Sequence, residues 1–227
     1  MLPITSIKPP LLNLIGHRIH RSARIAVSVV LVDRLYLGRA SRIGLFNLIR
    51  VKRLVMKADS HIGHLNHIHG DFSVCLKQEA VIGNRNRINR GVYLGRQYPA
   101  SLVLGRLSGI TAGHYVNLIV SVSFGDYSTL GGSGSQIWTH GYSHHAEGRG
   151  RDEIRRPVRI GSNVYIGSMC CIGPGVTLGK HVAIGSHSSV AKSLSEPGLY
   201  VSAELRYVGL KRDRAADPAS WPADTNS

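Results

Sequence analysis

Three histidines lie close together in the segment SQIWTHGYSHH, at His140, His144 and His145, next to Trp138 and Tyr142. An imidazole has an ordinary pKa of about 6.5, so at neutral pH it can accept a proton from a hydroxyl and later return it. General base assistance of this kind contributes about 10²- to 10⁴-fold to a reaction rate. The segment therefore contains three candidates for a general base, with aromatic side chains beside them.

The segment sits in a run from Gly131 to Pro157 that follows neither a strand period nor a helix period. Loops longer than about 12–15 residues within a domain are usually functional or disordered. The aromatic content of this run argues against simple disorder. The sequence therefore predicts a functional loop over 131–157 that regular elements hold on either side.

After the loop, an aliphatic residue recurs every six positions, and a glycine follows it in nearly every unit. The aliphatic positions are Ile160, Ile166, Ile172, Leu178, Ile184 and Val190. Six is not a helical period, and so many glycines would be costly in a helix. Six residues can instead form a short strand and a corner, with the aliphatic side chain inward and the glycine in the corner. The repeat predicts an all-β solenoid of stacked units.

The same rhythm, less regular, occupies the first half of the chain. With small slips, we expect inward aliphatic residues at Leu37, Ile43, Ile49, Val55, Ile62, Ile68, Val74, Ile82, Ile88, Leu94, Leu104, Ile110, Val116 and Val122. Each buried aliphatic side chain contributes about 1.5–3 kcal/mol, so together they form a core that no single unit could form. With the six later positions, this pattern predicts about seven coils.

This repeat resembles that of the hexapeptide-repeat acyltransferases, whose chains wind a left-handed parallel β-helix of triangular cross-section. The resemblance covers residues 25–210 and is most specific in the C-terminal part. It implies three units per coil, with residue n stacked on n+18, and a long loop inserted at 131–157. Residues 1–24 then form an N-terminal cap segment, with a basic amphipathic helix expected over 10–22, and residues 211–227 form a flexible tail.

The loop resembles the catalytic loop of the sugar O-acetyltransferases in this family. There a catalytic histidine precedes an extended loop and a PVxIG-type return to the helix; here WTHGYSHHAEGR precedes RPVRIGSNVYIGS. The resemblance implies that His140 is the general base for direct acetyl transfer to a sugar hydroxyl, without an acyl-enzyme. It also implies that the backbone amide of Ser168 stabilises the oxyanion and that Trp138, Tyr142 and His144 bind the sugar.

Acetyl-CoA is the acyl donor that this resemblance implies. In the family, CoA lies in a groove between neighbouring subunits, so a homotrimer is expected. The matching positions are Ser168 and Ser186 for the pantetheine arm, and Lys192 and Arg206 for the phosphates. The chain reads VSAELRYV where the family has a Gly-x-Pro-Ala-like turn before its basic residue. The adenine end of the site therefore departs from the family pattern.

Two further clusters are interpreted as structural. The segment HIGHLNHIH (61–69) contains four histidines, but residues six apart, such as His61 and His67, fall on different faces of a three-sided coil. They cannot converge on one ion, so no metal is expected. Cys170 and Cys171 occupy trailing positions of a unit, where small side chains pack, and are not expected to be nucleophiles.

The charge of the chain is high and uneven. Lys and Arg number 28 against 13 Asp and Glu, and the first 100 residues carry sixteen of the basic residues but only four acids. Such a surface attracts polyanions, which indicates an anionic membrane or an acidic glycan, unless the charge serves solubility alone. With three Phe and two Trp, few platforms exist for stacking bases, so nucleic acid is not an expected partner.

The composition favours a cytoplasmic protein. The chain has three cysteines, two of them adjacent, which argues against a disulfide framework. The longest apolar run, residues 25–32, is far shorter than the roughly 20 residues needed to cross a bilayer. We expect a cytoplasmic location, with peripheral contact at the inner face of the cell membrane through the basic N-terminal half.

Taken together, these patterns favour an acetyl-CoA-dependent O-acetyltransferase that acts on a sugar hydroxyl in cell-surface polysaccharide or glycolipid biosynthesis. Two alternatives stay open. The same histidine chemistry serves transfer to an amine, as on an amino sugar or an antibiotic. A β-helix can also be a non-catalytic scaffold, because a fold does not define a function.

Overall fold

The computed structural model describes residues 13, 16–91 and 99–202, together with the backbone of residues 206–209. Its first strands are β1 (Arg18–Ile19), β2 (Arg24–Ile25), β3 (Val29–Leu37), β4 (Arg42–Ile43), β5 (Leu48–Met56), β6 (His61–Ile62), β7 (His67–Leu76), β8 (Val81–Ile82) and β9 (Arg87–Asn89). The next are β10 (Ser101–Leu104), β11 (Gly109–Ile110), β12 (Tyr115–Asn117), β13 (Val122–Phe124), β14 (Thr129–Leu130), β15 (Gln136–Ile137), β16 (His140–His144), β17 (Arg151–Arg155) and β18 (Val158–Ile160). The last are β19 (Tyr165–Ile166), β20 (Cys171–Ile172), β21 (Thr177–Leu178), β22 (Val182–Ile184), β23 (Ser189–Val190), β24 (Gly198–Val201) and β25 (Arg206–Gly209).

Parallel pairing stacks these strands into a left-handed β-helix, which confirms the predicted all-β solenoid. Each of its three faces carries a column of inward side chains. On the first face the column is Ile19, Leu37, Met56, Leu76, Leu104, Phe124, Ile160 and Leu178. On the second face it is Ile25, Ile43, Ile62, Ile82, Ile110, Leu130, Ile166, Ile184 and Tyr200. On the third face it is Val30, Ile49, Ile68, Ile88, Val116, Ile137, Ile172 and Val190.

The predicted stacking of residue n on n+18 is confirmed in the C-terminal coils, where Ile160 pairs with Leu178 and Ile172 with Val190. The solenoid makes about nine turns, so the predicted number of seven is wrong. One predicted inward position is also wrong, because Val55 is only half-buried and the adjacent Met56 is fully buried in its place. Another, Leu94, lies outside the described residues.

The predicted loop at 131–157 contains one more strand of the solenoid. Strand β15 pairs with β12 on one side and β20 on the other, and its Ile137 is fully buried. The chain leaves the solenoid only after this strand. Strands β16 and β17 then form an antiparallel hairpin, and β18 returns to pair with β13. The inserted element is therefore a hairpin that is shorter than the predicted loop.

At the N-terminus, the solenoid begins before residue 25, the expected boundary of the cap segment. Strands β1 and β2 pair with β3 and β4, so both belong to the first coil. The rest of the expected cap, residues 1–12 and 14–15, and the expected tail at 211–227 lie outside the described residues. In the part of the chain that the structure covers, no helix has the length and hydropathy needed to cross a membrane.

Each regular corner places a residue in the left-handed backbone region three positions after an inward side chain. With φ between 52° and 62°, these residues are Ala40, Phe46, Asp59, Leu65, Glu79, Arg85, Leu107, Tyr127, Asn163, Met169, His181 and His187. Residues other than glycine lose about 1–2 kcal/mol in this conformation. The corners also bring neighbouring coils close together, since a Cβ on Gly63 would lie 2.6 Å from the carbonyl oxygen of Gly83. Coil stacking must offset these local costs.

A column of buried polar side chains fixes the register at the corner between the second and third faces. Its members, here called the polar ladder, are Ser28, Asn47, Asn66, Asn86, His114 and Ser135. Each of the first five accepts a hydrogen bond from the backbone amide of the next member, at 2.9–3.2 Å, and Ser135 accepts from the Cys170 amide at 3.1 Å. If one coil shifted its register against the next, these buried groups would lose their partners, at a cost of about 1–3 kcal/mol each.

Replacing Asn66 tests the polar ladder. Asn66 accepts from the Asn86 amide at 2.9 Å and donates to the Gly83 carbonyl at 2.7 Å. In Asn66→Ala both backbone groups lose a buried partner, and we expect the free energy of unfolding to fall by about 2–4 kcal/mol in urea titrations. The control is Asn84→Ala at an exposed corner, where water can replace the 2.7 Å bond to the His64 amide. Equal losses in the two variants would contradict this role.

The histidine in the polar ladder is held neutral. The Ser135 amide donates to Nδ1 of His114 at 3.2 Å, so the ring proton must be on Nε2, which lies 3.0 Å from Thr111 Oγ1. Burial lowers the pKa of His114 below its ordinary value of 6.5, although backbone hydrogen bonds oppose the shift. The unfolded chain therefore binds this proton more tightly than the folded protein does.

This difference predicts a loss of stability in acid. Because the folded pKa of His114 is lowered, the protein should lose stability as the pH falls from about 6.5 towards that lower value. His114→Asn, which restores the side chain found elsewhere in the ladder, should make the melting temperature depend less on pH between 7 and 5. His181→Asn, at an exposed corner, serves as the control. An unchanged slope in His114→Asn would rule out this histidine as a source of acid sensitivity.

Candidate functional site

The hairpin carries His140 at the point where the chain leaves the solenoid, at the corner between the third and first faces. In the hairpin register, His140 lies opposite Arg155. The preceding residue, Thr139, is fully buried, and its hydroxyl accepts from the Val120 amide and lies 3.2 Å from the carbonyl oxygen of Asn117. The solenoid therefore holds the backbone at His140 in place while the far end of the hairpin is exposed.

Asn117, which is 3% exposed, orients the imidazole of His140. Its Oδ1 lies 3.0 Å from Nδ1 of His140 and also accepts from the backbone amide of Ile119 at 3.4 Å. A backbone amide can only donate, so the shared atom is the oxygen, and Nδ1 of the ring must carry the proton. The Nε2 lone pair of His140 is then available, as a general base requires.

The surroundings of His140 keep its ring neutral at pH 7. Burial lowers the pKa of His140 from its ordinary value of 6.5; the Glu153 carboxylate opposes this shift and the Arg155 guanidinium adds to it. Glu153 and Arg155 form an ion pair with side chains that are 16% and 15% exposed. Since the two charges lie side by side, their opposing effects on the imidazole largely offset each other, and burial decides the direction.

Aromatic rings line up beside His140. The ring of Trp138 is 5.8 Å from His140 and 5.0 Å from Tyr115, which comes from the coil above. On the other side, Tyr142 meets His140 edge-on at 6.1 Å, and the Arg151 guanidinium lies 4.7 Å from the Tyr142 ring. The structure therefore brings the predicted residues Trp138, His140 and Tyr142 together in one row.

The other two histidines of the segment lie further out on the hairpin. His144 is exposed and opposite Arg151, and four residues of extended strand put it about 13 Å from His140 along the backbone. His145 is also exposed and pairs with Asp152 at 3.2 Å. Of the three candidates for a general base, His140 is therefore the one that the fold orients.

The predicted oxyanion and pantetheine residues occupy a different corner. Ser168 and Ser186 stack between the second and third faces, where the Ser168 amide donates to Oγ of Ser186 at 3.2 Å. His140 lies between the third and first faces, one side of the triangle away. Because a six-residue side spans up to about 20 Å, one chain does not bring the Ser168 amide to His140.

The two predicted phosphate-binding residues differ in what the structure shows. Lys192 is exposed and follows Val190 of the third-face column, so it lies on the same corner as His140, two coils further along. The backbone of Arg206 is in β25, which pairs antiparallel with β24. The side chain of Arg206 lies outside the described residues.

Sequence reasoning missed the residues that tune His140, namely Asn117, Tyr115, Glu153 and Arg155. Asn117 becomes its neighbour only through coil stacking, because 23 positions separate the two residues. Finding it would have required the register of every coil in between. The two hairpin residues could be found only once β16 and β17 were known to pair.

The remaining histidine and cysteine clusters differ in their surroundings, and Cys171, which was expected to pack, is exposed. His64 accepts from the Leu45 amide at 2.9 Å, and the His67 and His69 rings lie 5.8 Å apart. Among the residues that the structure describes, no group of three or more His, Cys, Asp or Glu side chains is placed to hold a metal ion. Cys170 is buried, and burial raises the pKa of its thiol, which disfavours the nucleophilic thiolate.

Residues 157–192 match the family described as Bacterial transferase hexapeptide (six repeats). These residues lie in the coils where the n+18 stacking holds, so sequence and geometry agree on the same repeat. The C-terminal coils therefore carry the hexapeptide repeat of that family, and the solenoid continues its architecture towards the N-terminus.

Two solved structures are similar to nearly the whole chain. One is the polySia-specific acetyltransferase NeuO, with 15% identity, coverage of 88% of each chain and a TM-score of 0.51. The other is the polysialic acid O-acetyltransferase OatWY, with 18% identity, coverage of 86% of this chain and 84% of that one, and a TM-score of 0.51. At this identity, the likeness shows a shared fold. No curated protein is similar enough to this chain in sequence to count as a relative.

A charge placed at Asn117 tests the orientation of His140. In Asn117→Asp, a carboxylate replaces the amide 3.0 Å from Nδ1, and this negative charge should raise the pKa of His140. NMR of ¹⁵N-labelled imidazoles would report this pKa and the tautomer. The control is Asn89→Asp. Asn89 accepts a 2.9 Å hydrogen bond from the Tyr115 hydroxyl and does not contact His140, so this variant should shift the pKa of His140 less. A wild-type ring protonated on Nε2 instead of Nδ1 would contradict the assignment.

Proposed function

We propose that this protein is an acetyl-CoA-dependent O-acetyltransferase that transfers acetyl to a hydroxyl of a sugar, with His140 as general base. The observation that carries this proposal is the hydrogen bond between Asn117 and His140, which holds the proton on Nδ1 and leaves Nε2 available. The lowered pKa keeps the ring neutral at pH 7. The hexapeptide repeat over residues 157–192, described for bacterial transferases, supports acyl transfer as the reaction class.

His140 supplies what a sugar hydroxyl lacks. At neutral pH, very little of such a hydroxyl is ionised, so Nε2 accepts its proton as the oxygen attacks the acyl carbon. The donor substrate supplies that carbon as a thioester. His140 then carries the proton and returns it to the departing sulfur, which restores the neutral ring. Since base assistance contributes about 10²- to 10⁴-fold, positioning and oxyanion stabilisation must supply the rest.

The corner below His140 fits the donor. In the next coil this corner consists of Gly173, Pro174 and Gly175, and Lys192 follows one coil further. A Cβ on Gly141 would lie 3.8 Å from Pro174, so the hairpin rests against this small-residue corner. Small residues leave room for a narrow arm, and the exposed Lys192 is placed for phosphates. Arg206 remains a sequence prediction for the same role.

A complete site requires a second copy of the chain. The Ser168 amide and Ser186 belong to the other corner, so in the proposed homotrimer they come from a neighbouring subunit. In the isolated chain, the Ser168 amide donates to Ser186 Oγ. The Ser186 side chain is exposed, and rotation of its hydroxyl would free the amide for an oxyanion. The row of Trp138 and Tyr142 beside His140 is proposed to hold the sugar.

The acceptor is proposed to be a glycan destined for the cell surface. Both similar solved structures are named as acetyltransferases of polysialic acid, which is a glycan. The excess of basic residues in the first 100 positions supports an anionic partner near the site, at the inner face of the membrane or on the acceptor itself.

Substitution of His140 tests the reaction. His140→Gln should lower kcat by about 10²- to 10⁴-fold, because the base is lost, while the KM for acetyl-CoA changes little. Thiol release in the presence of a panel of sugars measures both constants, and circular dichroism checks the fold. The matched control is His181→Gln at an exposed corner of the solenoid, which should stay within about twofold of wild type.

The same panel separates the rival functions. Hydroxyl sugars and amino sugars are offered in parallel. O-transfer requires turnover with the hydroxyl sugars, and the products must be labile in alkali. Turnover restricted to amines would replace the proposal with N-transfer. Full activity of His140→Gln would refute the role of His140 as general base. The absence of thiol release with any acceptor would favour a non-catalytic scaffold.

A further inference from the structure

A cavity of about 490 Å³ opens on the same corner as His140, in the N-terminal coils. The residues that follow the third-face column in three successive coils, and the start of a fourth, line it. Its polar lining side chains are Asp33, Arg50, Lys52, His69, Asp71 and Arg90. None of these residues has a role in the acetyl-transfer step described above.

The cavity and His140 are joined by direct contacts down the stack. Gly91, on the cavity wall, lies against Ile119, since a Cβ at that glycine would be 3.8 Å from Ile119 Cδ1. The Ile119 amide in turn bonds to Asn117, which orients His140. With coils spaced by about 4.8 Å, the cavity begins two coils, or about 10 Å, from His140 and extends to five coils, or about 24 Å, from it. An acceptor several sugar units long can reach both places.

Two guanidinium groups in the cavity are held in position. Arg90 is only 9% exposed, and its Nη1 donates to the backbone carbonyl of Asp71 at 2.5 Å. The guanidinium of Arg50, which can only donate, lies 3.2 Å from Nε2 of His69. A guanidinium that is already immobilised binds a carboxylate with little further loss of entropy.

Carboxylates stand among these cations. Asp33 and Asp71 line the same cavity and are exposed. These carboxylates do not help a surface that attracts anions by charge alone. They would also repel a flat anionic membrane. Sugar hydroxyls, however, donate hydrogen bonds to carboxylates. Fixed guanidinium groups next to free carboxylates therefore match a ligand that has both a carboxylate and hydroxyls.

We propose that this cavity is a distal acceptor subsite that binds a carboxylate-bearing sugar unit of an extended glycan. One acidic unit binds between Arg50 and Arg90, with its hydroxyls on Asp33 and Asp71, while another unit of the same chain reaches His140. The inference deepens the proposed function and rests on it for the second half of this statement; binding to the cavity does not depend on catalysis.

The test is calorimetric titration of the full chain with hexamers of a uronic acid and of a sialic acid, each compared with its carboxyl-reduced hexamer. We expect binding of at least one acidic hexamer, and at least tenfold weaker binding of its reduced form. Arg50→Gln should weaken acidic hexamer binding about tenfold or more. The matched control is Arg53→Gln, an exposed arginine of the same strand outside the cavity, which should stay within about twofold.

Asp33→Asn separates a sugar site from a general anion site. Loss of the carboxylate should weaken binding of the acidic hexamer several-fold. It should not weaken binding of inorganic phosphate, because only the sugar donates hydroxyl hydrogen bonds. Equal binding of reduced and acidic hexamers, equal losses in Arg50→Gln and Arg53→Gln, or tighter hexamer binding by Asp33→Asn would each overturn the proposal. Binding of anionic vesicles alone, sensitive to Arg50→Gln, would overturn it in favour of a lipid surface.

His140→Gln distinguishes this proposal from the proposed function. It should lower kcat for transfer by about 10²- to 10⁴-fold and bind the acidic hexamer as tightly as wild type. If this variant keeps full activity while hexamer binding still requires Arg50, the general base is refuted and the subsite stands. If transfer depends on His140 but acidic hexamers bind no better than reduced ones, the subsite is refuted and the general base stands.

Discussion

The stacking of each coil on the next, in register on all three faces, is the constraint on which the rest of the structure depends. A shift of one residue would turn a strand inside out, because side chains alternate between the two sides of a strand. The polar ladder also fixes the register, since Asn66 forms hydrogen bonds with the coils on both sides of its own.

This constraint explains how the hairpin that carries His140 can be inserted without disruption of the core. Strand β15 pairs with both neighbours before the hairpin, and Ile160 pairs with Phe124 after it, so the stack continues across the insertion. Each coil contacts only adjacent coils, and an excursion at a corner therefore costs little. The hairpin begins one residue after Thr139, whose buried hydroxyl joins it to Asn117. The rigidity of the solenoid is thus transmitted to His140.

The sequence was sufficient for the C-terminal coils because each unit there has six residues and the period is unbroken. It failed where coils are longer, as at Val55, because a single slip moves the predicted inward position to the wrong side. The strand around Ile137 was hidden by its uneven distance from Leu130, and the loop was therefore drawn too long. His140 could be chosen from local pattern, but Asn117 could not, since their contact depends on how two coils stack. The cavity was equally invisible, because it is formed by side chains from successive coils.

The corner between the third and first faces changes its geometry along the solenoid. In the N-terminal coils, strands β3, β5 and β7 run through it without a tight turn, and the pairing of β5 with β7 shifts register after Val51. The wall is open there, and the cavity forms. In the C-terminal coils, Gly173 to Gly175 turn the same corner tightly, which leaves a narrow surface next to Lys192. His140 lies between the open part of this corner and its tightly turned part. Along this edge the proposed sugar subsite, His140 and the small-residue surface with Lys192 follow one another, which is the order that the proposed transfer requires of acceptor, general base and donor.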